Sequence, residues 1–130
     1  MDRKDNQRCY VCGNDNPAGL HAVFETDRST RTITGRFLPR PEHEGWEGIV
    51  HGGIISALLD EAMVKLAAHL GIKAVSAEIT VKFKAPAASG CELVVRGHIV
   101  KEANRLIESE ATVEQGPVIV AEAKGKLLKV

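Results

Sequence analysis

Apolar residues between positions 51 and 71 recur every three or four residues, which is the period of a helix. They are Ile54, Ile55, Leu58, Leu59, Ala62, Met63, Leu66 and Leu70. At about 3.6 residues per turn, these side chains form a stripe that is too broad for a helix covered on one side only. Gly71 follows the stripe, and glycine suits the left-handed conformation that often ends a helix. The pattern predicts a helix from residue 52 to about residue 70, wrapped by the rest of the chain.

On either side of this helix, apolar and polar residues alternate with the two-residue period of β-strands. Residues 20–26 and 32–38 alternate around a polar turn, which predicts a hairpin. Four longer segments follow the helix and place these residues on one face: Val75, Ala77, Ile79, Val81 and Phe83; Cys91, Leu93, Val95, Gly97 and Ile99; Ile107, Ser109, Ala111 and Val113; Ile119, Ala121, Ala123 and Leu127. Polar residues, Ser76 among them, take the alternate positions and predict a solvated outer face. Because the links between the segments are short, we expect four consecutive strands paired as antiparallel neighbours.

This order of elements predicts an α+β fold in which one long helix lies in a curved antiparallel sheet. The chain has 130 residues, 44% of them apolar, which is enough for one domain with its own core. We expect this domain to cover residues 20–130. A polar, turn-rich loop or tail should precede it over residues 1–19.

Charge and composition narrow the functional classes. Basic and acidic residues balance at 17 each without a basic cluster, so we expect no binding to nucleic acid. The polar residues 1–6 lack the apolar stretch of a signal peptide, and no apolar run is long enough to span a bilayer. The three cysteines, an odd number, suit a reducing compartment. These observations predict a cytoplasmic protein without membrane contact.

Two of the cysteines stand close together near the N-terminus. Cys9 and Cys12 have the spacing of metal ligands or of a redox pair. A structural zinc ion needs four ligands, so His21 or Cys91 would have to complete such a set. We therefore favour a role in shaping the loop, with zinc as the lesser alternative and a redox pair after it, and we expect no metal site.

The start of the predicted helix carries the strongest candidate chemistry. Gly52 and Gly53 let a ligand approach backbone amides that have no helical acceptor, and the helix dipole adds partial positive charge there. A tight turn that serves packing is the alternative for this pair. His51 is expected to bond backbone and fix the turn, although its near-neutral pKa leaves a general-base role open. Asp60 lies within the apolar helix, where a carboxylate costs free energy unless it is paired, hydrated or used in function.

These residues together resemble a known family. The His-Gly-Gly motif of residues 51–53 opens a helix, and Asp60 follows the histidine by nine residues. The next strand ends in Phe-x-x-Pro at Pro86, with Ser76 ten residues before that proline. This arrangement is similar to the hotdog-fold thioesterases of the PaaI-like type. The resemblance covers about residues 20–130.

The resemblance implies a hotdog fold, in which a curved antiparallel sheet of about six strands wraps one long helix. It also implies an acyl-CoA thioesterase that needs no cofactor and releases free acid and CoA. Gly52 and Gly53 amides would form the oxyanion hole, Asp60 would act as general base or nucleophile, and Ser76 would orient the attacking water. Gly53 and Asp60 are roughly 10 Å apart along one helix. We therefore expect composite sites in a homodimer or a dimer of dimers, as hotdog proteins form.

Several positions leave alternatives open. Many of the similar enzymes carry an asparagine six residues before the histidine, whereas Gly45 stands there in this chain and offers no side-chain donor. Glu61 is a spare base, although Lys65 four residues later makes a helix salt bridge the simpler interpretation. The segment that starts at Cys9 is similar to the start of one uncharacterised branch of the family. The alternative function is a non-catalytic acyl-CoA-binding module. A hotdog dehydratase would need a differently placed histidine and acid.

An acyl chain would enter an apolar channel between the helix and the sheet of two subunits. The expected walls of this channel are Trp46, Ile54, Leu58 and Phe83. Lys82 and Lys84 could meet the phosphates of CoA, although most cations on an outer sheet face are only solvated. The aromatic content of 4% disfavours a pocket for an aryl group. The length of the acyl chain and the pathway stay open.

Overall fold

The computed structural model describes residue 5 and residues 7–130, so the predicted N-terminal tail lies partly outside the described residues. The elements in chain order are β1 (Val23–Asp27), β2 (Thr32–Phe37), a 3-10 turn (Pro41–His43), helix α1 (Gly52–His69), β3 (Ala74–Phe83), β4 (Leu93–Glu102), β5 (Leu106–Gln115) and β6 (Val118–Lys129). The hairpin, the long helix and the four later strands predicted from the sequence are thereby confirmed.

The six strands form one antiparallel sheet in the order β1-β2-β4-β5-β6-β3. This order corrects one prediction, because β3 and β4 are not neighbours. β3 pairs with β6, and β4 pairs with β2 and β5. The short link expected between them is in fact the longer connection of residues 84–92, since β3 ends at Phe83 and β4 begins at Leu93. A connection of that length can pass from one end of the sheet towards its middle.

Helix α1 packs against all six strands, as its broad apolar stripe predicts. Its inner residues are completely buried: Leu58, Leu59, Ala62, Met63, Leu66 and Ala67. Burying a large apolar side chain of this kind stabilises the fold by about 1.5–3 kcal/mol relative to exposure. Although α1 is apolar, no helix among the described residues has the length and apolarity needed to cross a membrane.

Strand β3 contains a bulge that changes the face of the sheet on which Ser76 lies. In its pairing with β6 the register shifts between Ser76 and Glu78, so Ala77 is an extra residue. One extra residue reverses the alternation of faces in a strand. Ser76 therefore turns toward α1, while Glu78 stays on the exposed outer face. The prediction that Ser76 lies on the outer face is wrong for this reason, although its side chain is exposed to solvent as expected.

The N-terminal loop is folded onto the rest of the domain. Val11 is 6% exposed and packs in the core, and its carbonyl accepts a hydrogen bond from the N–H of Ala22 at 2.9 Å. Gly13 turns the chain back, and its N–H donates to the Cys9 carbonyl at 2.9 Å. A Cβ atom at position 13 would lie 2.4 Å from the Cys9 nitrogen, so the turn requires glycine. The two cysteines are consequently held in a fixed loop.

Candidate functional site

The start of α1 is fixed by His51. Its ring Nδ1 accepts a hydrogen bond from the Gly53 N–H at 2.8 Å, and its backbone N–H donates to the His43 carbonyl at 2.8 Å. The imidazole thus bonds backbone at the helix start. The Gly52 N–H has no acceptor in the part of the chain that the structure describes. Of the two predicted oxyanion donors, Gly52 is available and Gly53 is already bonded.

A cleft of about 830 Å³ opens beside this helix start and includes Gly52 in its lining. Two of the predicted channel walls, Trp46 and Phe83, lie here and are 81% and 57% exposed. The other two lie elsewhere: Leu58 is completely buried in the core, and Ile54 is half-buried against it. Ile49 and Ile55 line the cleft in their place. The sequence does not show which of these isoleucine and leucine residues line the cleft. Each of them belongs either to the apolar stripe of α1 or to the segment that leads into this helix.

The two lysines predicted to meet phosphate groups lie in different places. Lys84 lines the cleft, and its Nζ is 3.5 Å from a carboxylate oxygen of Glu122. Both partners of this ion pair are more than 40% exposed, so the pair contributes little stability and can exchange for another anion. Lys82 lies in a separate hollow of the outer sheet face, together with Arg96. Only Lys84 is therefore placed to meet an anionic group in the cleft.

His43 holds the loop that leads into the cleft. Its side chain is 6% exposed, and its ring packs against Phe37 with 5.0 Å between ring centroids. Its Nδ1 accepts a hydrogen bond from the Arg40 N–H at 2.9 Å. Burial lowers the pKa of His43, and the nearby Arg40 charge acts in the same direction. The folded protein therefore favours the neutral form of this imidazole, whose Nδ1 acts as a hydrogen-bond acceptor.

We expect the free energy of unfolding to fall as pH is lowered from 7 to 5. The folded state holds His43 neutral, whereas the unfolded chain binds a proton below its ordinary pKa of 6.5. Stability is thus present above that pKa and lost as pH falls through it, by at most about 1.4 kcal/mol per pH unit for each such histidine. Burial also lowers the pKa of His69, so it contributes in the same direction. Urea denaturation across this range should show a shallower pH dependence in His43→Asn, whose amide oxygen can accept the Arg40 N–H. An unchanged pH dependence would contradict this role.

Asp60 lies farther along α1 and is half-buried. The Ser76 hydroxyl donates a short hydrogen bond to Asp60 Oδ1, a contact that the bulge in β3 makes possible. The eight residues from Gly52 to Asp60 correspond to about 12 Å along the helix axis. Within one chain the structure therefore gathers the predicted residues into two groups. One group lies at the helix start around Gly52, and the other consists of Asp60 and Ser76.

Strand β3 runs past both groups. The ring of Phe83 lies beside Gly52, where a Cβ atom on the glycine would be 3.4 Å away, and Ser76 lies beside Asp60. β3 forms one end of the sheet, so its outer edge faces no strand among the described residues. The Lys84 N–H donates inward to the Val120 carbonyl at 2.7 Å. By antiparallel alternation, the backbone groups at positions 79, 81 and 83 point out of this free edge.

Glu61 faces the N-terminal loop. The Cys9 thiol donates to Glu61 Oε2 at 2.8 Å, and the Cys12 thiol lies 3.7 Å from Oε1. Lys65 Nζ donates to Cys12 Sγ at 3.1 Å. Among the described side chains, Glu61 and Lys65 thus each contact the Cys12 thiol, and they do not form the predicted salt bridge with each other. Burial raises the pKa of Cys12 to about 11, with Lys65 opposing and the Glu61 charge adding to this effect.

The family model described as the thioesterase superfamily matches residues 47–121, which is more than half of the chain. This chain belongs to the thioesterase superfamily. The matched region contains the helix start, Asp60 and Ser76. A curated relative, acyl-coenzyme A thioesterase THEM4 of Xenopus laevis, is 28% identical over 89 residues, which are 68% of this chain and 40% of that protein. The chain therefore spans about two fifths of the length of this relative.

Two solved structures have the same fold. The PaaI protein of E. coli, from its phenylacetic acid degradation operon, superposes with a TM-score of 0.79 at 18% identity over 85% of this chain and 80% of that one. The smu.793 protein of Streptococcus mutans UA159, solved bound to acetyl-CoA, gives a TM-score of 0.76 at 18% identity over 84% and 86%. The predicted hotdog fold is thereby confirmed. The family match begins at residue 47, so the likeness of the N-terminal cysteine segment to one branch stays a prediction.

Proposed function

We propose that this protein is an acyl-CoA thioesterase, which hydrolyses the thioester of an acyl-CoA to a free acid and CoA. The observation that carries the proposal is the Asp60 carboxylate, held by Ser76 at the free edge of the sheet. Membership of the thioesterase superfamily supports it, as does a relative named as an acyl-coenzyme A thioesterase. The acetyl-CoA bound to smu.793 adds support for a CoA thioester as the ligand class.

The Gly52 amide would stabilise the negative charge that develops on the thioester carbonyl oxygen during attack. Its N–H has no acceptor among the described residues and points from the first turn of α1, where the helix dipole is positive. A donor that is fixed before the reaction stabilises the transition state without reorganisation. His51 keeps the turn in place by holding the neighbouring Gly53 amide.

Asp60 would promote attack on the thioester carbonyl carbon, whose oxygen the Gly52 amide stabilises. Ser76 occupies Oδ1, which leaves Oδ2 to take a proton from water or to attack the carbonyl carbon directly. In the first route the water oxygen bonds to carbon, the carbon–sulfur bond breaks, and the CoA thiolate takes up a proton. In the second route the carboxylate oxygen bonds to the carbonyl carbon, the carbon–sulfur bond breaks to give an anhydride and CoA thiolate, the thiolate takes up a proton, and water then cleaves the anhydride to the acid and the Asp60 carboxylate. Both routes consume one water and release the acid and CoA.

A second copy of the chain would complete the site, since Gly52 and Asp60 lie about 12 Å apart on one helix. The free edge of β3 can pair with its own copy in an antiparallel, two-fold manner. Two-fold pairing about the middle of Ala74–Phe83 places residues near 83 of one copy opposite residues near 75 of the other. Because Phe83 lies beside Gly52 and Ser76 beside Asp60, each site then takes its amide from one chain and its carboxylate from the other. We propose a homodimer or a dimer of such dimers.

The cleft would bind the substrate through Lys84 and its two exposed aromatic side chains, Trp46 and Phe83. Lys84 can meet a phosphate group, and the aromatic rings offer apolar surface to the acyl chain or the CoA thiol arm. We also propose a cytoplasmic location, which the three free thiols of Cys9, Cys12 and Cys91 support.

We test the reaction by measuring release of free CoA thiol from a panel of short, long and aromatic acyl-CoAs. Cleavage of at least one of them is the expected result. Gly45 favours one other outcome, because it lies against His51 and offers no side-chain donor to the carbonyl. If the protein binds acyl-CoA by calorimetry but cleaves none of the panel, a non-catalytic acyl-CoA-binding module is the better account.

Ser76→Ala should lower kcat on the best substrate by about tenfold or more, with a smaller effect on KM. The hydroxyl donates to a charged carboxylate, and a bond of that kind is worth about 1.5–3 kcal/mol. Thr80→Ala is the matched control, because it removes a hydroxyl from an exposed position of the same strand. Equal rates in the two variants would show that Ser76 does not position Asp60.

A further inference from the structure

We propose that Cys9, Cys12 and Glu61 bind a zinc ion that joins the N-terminal loop to helix α1. One potential ligand atom from each side chain lies within 4.8 Å of the other two, and among the described residues these three form the one such group. All three side chains are half-buried. This inference goes beyond the thioesterase reaction, which needs no metal.

The distances suit tetrahedral zinc. Bonds of about 2.3 Å to sulfur and about 2.0 Å to a carboxylate oxygen set the sulfur–oxygen separation at about 3.5 Å. Cys12 Sγ already lies 3.7 Å from Glu61 Oε1. Cys9 Sγ lies 2.8 Å from the other carboxylate oxygen, Oε2, to which its thiol donates a hydrogen bond. Loss of the thiol proton and a movement of about 0.7 Å would bring this sulfur to about 3.5 Å from Oε2.

The ligands come from two fixed elements. Gly13 closes the turn that carries both cysteines, and a side chain there would collide with Cys9. Val11, between the cysteines, is buried in the core, so the loop cannot lift without exposing it. Glu61 lies within α1, whose inner face is buried in the core. The fold therefore holds the two thiols next to the Glu61 carboxylate.

The charges balance when zinc replaces the two thiol protons. Without metal the cluster holds two neutral thiols, one carboxylate and the Lys65 ammonium, which sum to zero. With metal, two thiolates and one carboxylate oppose Zn²⁺ and Lys65, which again sum to zero. Lys65 Nζ already donates to Cys12 Sγ at 3.1 Å, and hydrogen bonds to ligand sulfurs stabilise metal sites. The exchange breaks two S–H bonds, forms two Zn–S bonds and releases both protons to solvent, with no redox step.

The residues expected from the sequence to complete a zinc site, His21 and Cys91, do not do so. His21 Nε2 is held by the Asn16 carbonyl at 2.6 Å, and Cys91 is exposed. Glu61 supplies the ligand instead, and solvent would supply the fourth. Glu61 points about 100° around the helix from Asp60. The zinc ion would therefore fasten the loop without touching the proposed catalytic carboxylate.

The test uses the full chain, kept reduced with a phosphine and stripped of metal by a chelator. Titration with Co²⁺ should give a thiolate charge-transfer band, which Zn²⁺ then removes, and elemental analysis should find one zinc per chain. Zinc should also raise the Tm of the wild type. The double variant Cys9→Ser/Cys12→Ser should lose the band and the bound zinc. Cys91→Ser is the matched control and should bind as the wild type does.

Glu61→Gln keeps both thiols and should weaken zinc binding by at least tenfold. This variant decides the question even if the double cysteine variant fails to fold by circular dichroism. The proposal is overturned if the reduced wild type gives no cobalt band, if Glu61→Gln binds as tightly as the wild type, or if binding depends on Cys91. None of these results bears on thioester hydrolysis, which the CoA-release assay reports separately.

Discussion

Asp60→Asn is expected to lower kcat/KM for acyl-CoA hydrolysis by about a hundredfold or more, because a positioned general base contributes about 10²–10⁴. Asparagine keeps the shape of the side chain and can still accept the Ser76 hydroxyl through its amide oxygen. It can neither take a proton from water nor form an anhydride. The substitution therefore removes the chemistry and keeps the packing.

The measurement is CoA release by the wild type and the variant on the best substrate, with acyl-CoA binding followed by calorimetry. Binding should persist in Asp60→Asn, because the cleft and the Gly52 amide are untouched. Glu78→Gln is the matched control, since it neutralises an exposed carboxylate on the outer face of β3. A variant at Asp60 that turns over like Glu78→Gln would remove Asp60 from the mechanism.

Val81→Pro should convert the protein to a monomer and lower activity by a similar factor of about a hundred or more. The backbone N–H of Val81 points out of the free edge of β3, away from its pairing with β6. Proline removes that donor and places its ring on the edge, which blocks strand pairing with a second copy. Activity would be lost because, in the proposed dimer, Asp60 of one chain acts together with a glycine amide of the other.

Val81→Ala is the control, because it shortens the same side chain and keeps the N–H. Light scattering after size-exclusion chromatography gives the mass of each variant, and circular dichroism shows whether the fold is kept. The composite site requires loss of dimer and loss of activity together. A folded Val81→Pro monomer with wild-type activity would mean that one chain holds the whole site.

The helix and the strands could be predicted because their signals are local. The stripe through Leu58, Ala62 and Leu66 has the helical period, and its width alone requires cover on most sides. The neighbours of β3 could not be predicted in the same way. Alternation along a strand says which face is apolar, but pairing of β3 with β6 depends on where residues 84–92 carry the chain. That path is set by packing between distant segments.

In the candidate site, too, the residues that lie close together in the sequence could be predicted, and the contacts between distant segments could not. The glycine pair and Asp60 stand in one short motif, so the sequence alone pointed to both. The partner of Asp60 was harder to see, since Ser76 reaches it only through the bulge. The contact of Glu61 with Cys9 spans 52 residues of sequence, and no local rule connects them. Lys65 fits a helix salt bridge by spacing, yet the loop thiol competes successfully for it.

The bulge at Ala77 gives the two parts of strand β3 different offsets against β6. Ser76 lies opposite Leu127, whereas Glu78 lies opposite Lys126, the next residue of β6. Deleting Ala77 would remove the bulge and leave both of these pairs unchanged, so Ser76 would still face α1. A regular strand that kept Ala77 would instead place this alanine opposite Leu127 and turn Ser76 to the outer face. Changes that favour regular pairing at Ala77, more than its loss, are therefore the ones that would separate Ser76 from Asp60.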